Sequence, residues 1–76
     1  MAKEITIATK RICAKVREIR KDQELTQKEL ADQAGLFHQS IQRLERGDIS
    51  PSVDLLARVL EPMGYTIDIV RIEDVE

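Results

Sequence analysis

The sequence predicts a small all-α domain of four to five helices with a short β-strand at its C-terminal end. Three observations carry that expectation. Apolar residues recur at helical spacing along most of the chain, as in Ile12, Val16 and Ile19 and again in Leu56 and Leu60. Gly35, Gly47 and Gly64 each stand just past a periodic stretch, where a residue in the left-handed conformation stops a helix. After Gly64 the period shortens to two, in a run rich in β-branched residues.

The elements follow in order. Residues 1–8 form an N-terminal arm; Glu4-Ile5-Thr6-Ile7 alternates like a short strand but suits a loose arm equally. Thr9 is a suitable N-cap for a first helix running to about Asp22. Ile12, Val16 and Ile19 give it a buried stripe, with Cys13 as a small core or semi-buried residue rather than a reactive thiol. Lys10, Arg11, Lys15, Arg17 and Lys21 take the other faces. A second helix covers residues 27–33. Thr26 and Glu29 are spaced as a capping box, and Leu30, Ala31 and Ala34 form one apolar stripe. A third helix covers residues 38–46, with Ile41 and Leu44 facing inward and His38, Gln39, Gln42 and Arg43 outward. Ser52 is the expected cap of a fourth helix, with Ser50 ahead of Pro51 as the alternative. Val53, Leu56, Ala57 and Leu60 form its inner stripe, and Gly64 ends it.

In the last part of the chain Tyr65, Ile67 and Ile69 alternate with Thr66, Asp68 and Val70. A lone apolar strand needs a partner. Three are available: the same strand of a second subunit, the segment at residues 5–8, or a strand supplied by a protein ligand. Residues 73–76 form an acidic tail.

Two short helices joined through a glycine, the second with a polar outer face, read as a helix-turn-helix. The details sharpen the match. Leu25-Thr26-Gln27, Glu29-Leu30-Ala31, Gly35, Ile41 and Leu44-Glu45-Arg46-Gly47 stand at fixed spacings. In this the chain resembles the DNA-binding domain of the phage-repressor and Cro-like family, also called the Xre family, over roughly residues 16–64. The domain itself is expected to span residues 9–64. Two positions depart from the family pattern. Glu24 stands where the family has glycine, and a Glu at positive φ costs on the order of 1 kcal/mol; either that cost is tolerated or the loop differs. Phe37 stands where Ser or Thr usually caps the recognition helix. It cannot cap with its side chain, so either backbone N–H groups face a phosphate or Ser40 and water compensate. Its ring is expected to pack against the fold, with a thymine methyl group as the alternative contact.

The resemblance implies a binding site rather than a reaction centre. A helix fits the major groove, where each base pair shows a distinct pattern of donors and acceptors. His38, Gln39, Gln42 and Arg43 occupy the family's base-reading positions. Gln39 can pair with adenine N6 and N7, and Arg43 with guanine O6 and N7. Gln27, at a helix N-terminus, suits a phosphate. Lys28, Phe37 through its backbone, Ser40 and Arg46 are further phosphate candidates, as are Lys10 or Arg11. Arg20 matches the position that pairs with Glu45 in a partly buried ion pair, with Arg17 as the other possible partner. The small-antitoxin branch of the family implies that Tyr65, Ile67 and Ile69 pair across a two-fold axis in an intersubunit sheet.

Composition bounds the function. The net charge of −2 disfavours nucleic acid mildly, but residues 1–21 hold seven Lys/Arg against Glu4 and Glu18, a local +5. A locally basic face on an acidic protein can bind DNA. One His and one Cys leave no clustered metal site, and there is no Gly-rich phosphate loop. No nucleophile–base constellation stands out, so an enzyme is not expected, and no cofactor is called for. Neither an apolar membrane span nor a secretory signal is visible, so a cytoplasmic, nucleoid-associated protein is the expectation. The expected partners are double-stranded DNA and a second copy of the chain. The expected function is a transcriptional regulator, most simply a repressor, on a near-palindromic operator. An antitoxin that binds a toxin protein and represses its own operon is the alternative. A scaffold that keeps the fold without binding DNA is the third reading.

Overall fold

Helix α1 (Ile7–Asp22) opens on Thr6, not Thr9. Thr6 Oγ1 accepts a hydrogen bond from the backbone N–H of Thr9 at 3.1 Å, and the two hydroxyls lie 2.9 Å apart. Either threonine can cap; nothing in Ile7 or Ala8 breaks a helix, so the earlier one takes the role. The computed structural model describes residues 5–75. The rest of the expected arm, residues 1–4, and the last residue of the acidic tail lie outside the described residues.

Cys13 and Val16 are buried on α1 together with Arg20, while Ile12 and Ile19 flank them half-buried. The helix ends in a Schellman closure. Leu25 N–H donates to the Arg20 carbonyl at 3.1 Å, and Glu24 takes φ 58°. The loop therefore keeps the geometry that glycine favours and accepts the cost of a side chain there.

Helix α2 (Gln27–Ala34) carries the full capping box. Glu29 N–H donates to Thr26 Oγ1 at 3.0 Å, and Thr26 N–H to Glu29 Oε1 at 2.9 Å. Gly35, at φ 69°, closes it, and Leu36 N–H returns to the Ala31 carbonyl at 2.8 Å. Helix α3 (His38–Arg46) follows after Leu36 and Phe37 and stops at Gly47.

Helix α4 (Val53–Leu60) is capped by Ser52, whose hydroxyl accepts from Leu55 N–H at 3.0 Å. Its inner face differs from expectation at one end. Val53 sits in the first turn and is 70% exposed, and Leu55 packs on the core instead. The chain then tightens into a 3₁₀ turn, Glu61–Met63, before Gly64. Pro62 explains this: it has no N–H to extend the α-helical ladder.

Leu30, Ile41, Leu44, Val16 and Val59 are the largest fully buried side chains. They join α1, α2, α3 and α4 in one core, closed by Leu56, Leu60 and Met63. Val59 is thus a core residue and unavailable to a subunit interface.

The expected C-terminal strand does not form. Among the described residues there is no β-strand; residues 65–71 are irregular, and Ile72–Asp74 make a 3₁₀ turn that runs into the expected acidic tail. The physical reason within one chain is that no other segment is placed to pair with it. Strand ladders are satisfied only pairwise, and the candidate partner segment at residues 5–8 is half consumed by α1. Ile67 packs half-buried on the core, while Ile69 is 94% exposed and Tyr65, Val70 and Ile72 are also exposed.

Candidate nucleic-acid interface

The outer face of α3 is built by its inner face. Ile41 and Leu44 are fully buried against α1 and α2, which fixes the rotation of the helix about its own axis. His38, Gln39, Gln42 and Arg43 are all left exposed on the outside. Arg43 forms no ion pair with the described residues. A short helix with a planar amide and a free guanidinium on its exposed side can present bidentate donors and acceptors to base edges.

A buried ion pair locks α3 to α1. Arg20 Nε donates to Glu45 Oε2 at 2.7 Å, and its second terminal nitrogen to Glu45 Oε1 at 2.9 Å. The third guanidinium contact, to the Leu25 carbonyl, is also 2.7 Å. The Glu45 side chain is 2% exposed. Arg17, the other possible partner, is exposed and does not take part. The Leu25 carbonyl was not anticipated; it ties the loop before α2 to the same charge.

Gln27 joins this cluster. Its Nε2 donates to Glu45 Oε1 at 3.1 Å, and its Oε1 lies 3.3 Å from His38 Nε2. The residue expected on a phosphate is therefore half-buried between the ion pair and the start of α3. Sequence reasoning missed this link. Gln27 opens α2 while His38 and Glu45 stand at the two ends of α3, and no local pattern announces the link.

The remaining candidates are scattered around α3. Lys28 is exposed on the first turn of α2, and Ser40 is half-buried in the first turn of α3. Arg46 is exposed and paired with Asp48 at 2.9 Å. Phe37 precedes α3 with no side-chain cap, as its chemistry requires. It does not pack against the fold: the residue is 81% exposed. Its neighbour Leu36 packs on the core, while Phe37 and His38 are both exposed.

Among the described residues two groups have shifted acidity. Glu29 is held below the usual carboxylate range by the Thr26 backbone N–H and then by the Thr26 hydroxyl. Burial pushes the Cys13 thiol up, which suits a core residue rather than a reactive one. Among the described residues no cluster of His, Cys, Asp and Glu could hold a metal ion, and no helix is long and apolar enough to cross a membrane. A groove of about 540 Å³, lined by α1, Leu60 and the segment from Tyr65 to Val75, takes no residue of α3 into its lining. A groove-reading helix is convex and needs no cavity.

Comparison with known proteins agrees with this geometry. The helix-turn-helix family model matches residues 16–70. An uncharacterized HTH-type transcriptional regulator of Methanothermobacter thermautotrophicus is 45% identical over 49 residues, which make up 64% of this chain and 71% of that protein. The residues matched by the family model take in the ion pair, both helices of the motif and the exposed face of α3, and the chain belongs to the Cro/C1-type helix-turn-helix family, the Xre family.

Proposed function

We propose that the protein is a transcriptional regulator that binds double-stranded DNA by laying α3 in the major groove. The observation that carries this is the exposed face of His38, Gln39, Gln42 and Arg43 on a helix whose rotation is fixed by Ile41, Leu44 and the Arg20–Glu45 pair. Gln39 and Arg43 read adenine and guanine edges, Gln42 and His38 complete the contact, and Lys28, Arg46, Ser40 and the backbone at Phe37 face phosphates. Gln27 reaches the backbone only as part of its cluster with Glu45 and His38.

The protein acts as a homodimer on a near-palindromic operator, most simply as a repressor that occupies a promoter. The described residues extend 34 Å at most and hold one such helix. Half-sites on one face of the duplex are ~34 Å apart, which a second copy of the chain supplies in this reading. The exposed apolar residues Tyr65 and Ile69, with Ile72, support a subunit contact near the C-terminal end. The same surface favours a second reading, an antitoxin that covers it with a toxin protein.

Selection of binding sites from random duplex DNA tests the proposal, with Gln39→Ala/Arg43→Ala as control. A palindrome recovered by the wild type and lost by the control is expected. No enriched sequence at low salt would sink the regulator reading. A co-purifying protein that blocks DNA binding or dimer formation would favour the antitoxin.

A further inference from the structure

His38 is the one histidine of the chain, and its ring is not free to choose its hydrogen-bonding pattern. The chain of contacts starts at the buried charge. Glu45 meets the Arg20 guanidinium through both oxygens, at 2.7 and 2.9 Å. A carboxylate in such a pair only accepts hydrogen bonds. Gln27, 3.1 Å from Glu45 Oε1, must therefore turn its NH₂ group inward. The opposite amide orientation would set two acceptors against each other beside a buried anion. With NH₂ inward, the Gln27 carbonyl oxygen points to His38 Nε2, 3.3 Å away. That oxygen accepts only, so the ring nitrogen has to carry the proton. A neutral imidazole has one N–H, so Nδ1 is left as the acceptor of a ring that belongs to an exposed residue.

We propose that the Arg20–Glu45–Gln27 chain fixes neutral His38 as its Nε2–H tautomer, so that Nδ1 reads DNA as a hydrogen-bond acceptor. This rests on the placement of α3 in the major groove. There, adenine N6 and cytosine N4 are donors, whereas guanine O6 and N7 and thymine O4 are acceptors. An acceptor at His38 thus selects an amino base, adenine or cytosine, over a keto base on the strand it faces. Gln27 is then a positioning residue: it acts on specificity through His38 and takes no part in reading itself.

The test has two arms. The first needs no DNA. Nitrogen-15 NMR of the ring, at about pH 8 and so above the ordinary histidine range near 6.5, reports the tautomer of a single, unambiguous residue. The wild type is expected to show Nε2–H alone, and Gln27→Met a mixture of both forms. A wild-type ring that is Nδ1–H or mixed overturns the lock without recourse to the variant, as do equal populations in the two proteins. The second arm is site selection at the same pH with wild type, His38→Ala and Gln27→Met. The position relaxed by His38→Ala is expected to hold adenine or cytosine, and Gln27→Met should admit guanine and thymine there. Guanine or thymine selected by the wild type overturns the acceptor assignment and leaves the DNA-binding reading standing. A locked ring in a protein that enriches no sequence overturns the DNA-binding reading, and the readout with it.

Discussion

At Arg20, five-donor geometry meets a site built for it. Its guanidinium serves Glu45 twice and the Leu25 carbonyl once, at 8% exposure. Removing either partner leaves a buried charge alone, which costs ~3–5 kcal/mol. A domain of this length has roughly 4–11 kcal/mol in hand, so Arg20→Ala or Glu45→Ala should lower the urea midpoint sharply. Replacing both with apolar residues of similar size should recover most of the loss, and a double-mutant cycle in urea measures the coupling. Glu24 offers the opposite case. Its φ of 58° costs a side-chain residue about 1–2 kcal/mol, partly offset by the chain entropy that glycine gives up. Glu24→Gly should therefore stabilise by roughly 0.5–1 kcal/mol, read as a rise in Tm. The Arg20–Glu45 pair was legible from the resemblance, whereas at Glu24 only the departure from glycine was, and the loop's conformation stayed open. Phe37 was not: "apolar inside" is a one-way rule, and a single exposed ring breaks nothing. The Gln27 bridge was invisible for another reason, since its two partners lie in another helix and no spacing brings them together.

At the scale of elements, the helices were legible because their signals are local. The capping box at Thr26 and Glu29, the glycines after α2 and α3, and the apolar stripes all act within one or two turns. The misses were at ends where two local signals compete, as at Thr6 against Thr9, or where Pro62 tightens a helix before its glycine. The C-terminal strand failed because alternation states only that a segment could pair, and pairing is decided elsewhere. The capping box carries a pH prediction. The folded-state pKa of Glu29 is lowered, first by the Thr26 N–H and then by its hydroxyl. Its contribution is therefore complete above the ordinary carboxylate range and is lost as pH falls through the depressed value. Thermal melts between about pH 6 and pH 3 should show an acid decline in Tm that is shallower in Glu29→Ala than in the wild type. Parallel declines would show that the box does not sense pH.

Over the whole molecule, charge and apolar surface are segregated. Basic residues concentrate on α1 and acidic ones toward the C-terminal end, so phosphate contacts can form on a protein of net charge −2. Ile69 and Ile72, with Tyr65 and Val70, are the exposed apolar residues toward the C-terminal end, apart from those at Ile7, Phe37 and Val53. Because Ile69 is 94% exposed, its replacement removes nothing from the fold of one subunit. Ile69→Asp/Ile72→Asp should thus leave the helical content and the monomer's urea midpoint nearly unchanged, while sedimentation shifts from dimer to monomer. The functional consequence is steep. A dimer engages its second half-site as an intramolecular event, and avidity from such linkage can exceed single-site affinity by ~10²–10⁴. The monomeric variant should lose operator affinity on that scale while keeping the same α3 face, and its log affinity should fall less steeply with log salt because it touches fewer phosphates. If the variant stays dimeric, the contact lies elsewhere. If a wild type that sediments as a monomer still binds a palindrome tightly, the two-fold reading is wrong and each α3 must read its half-site alone.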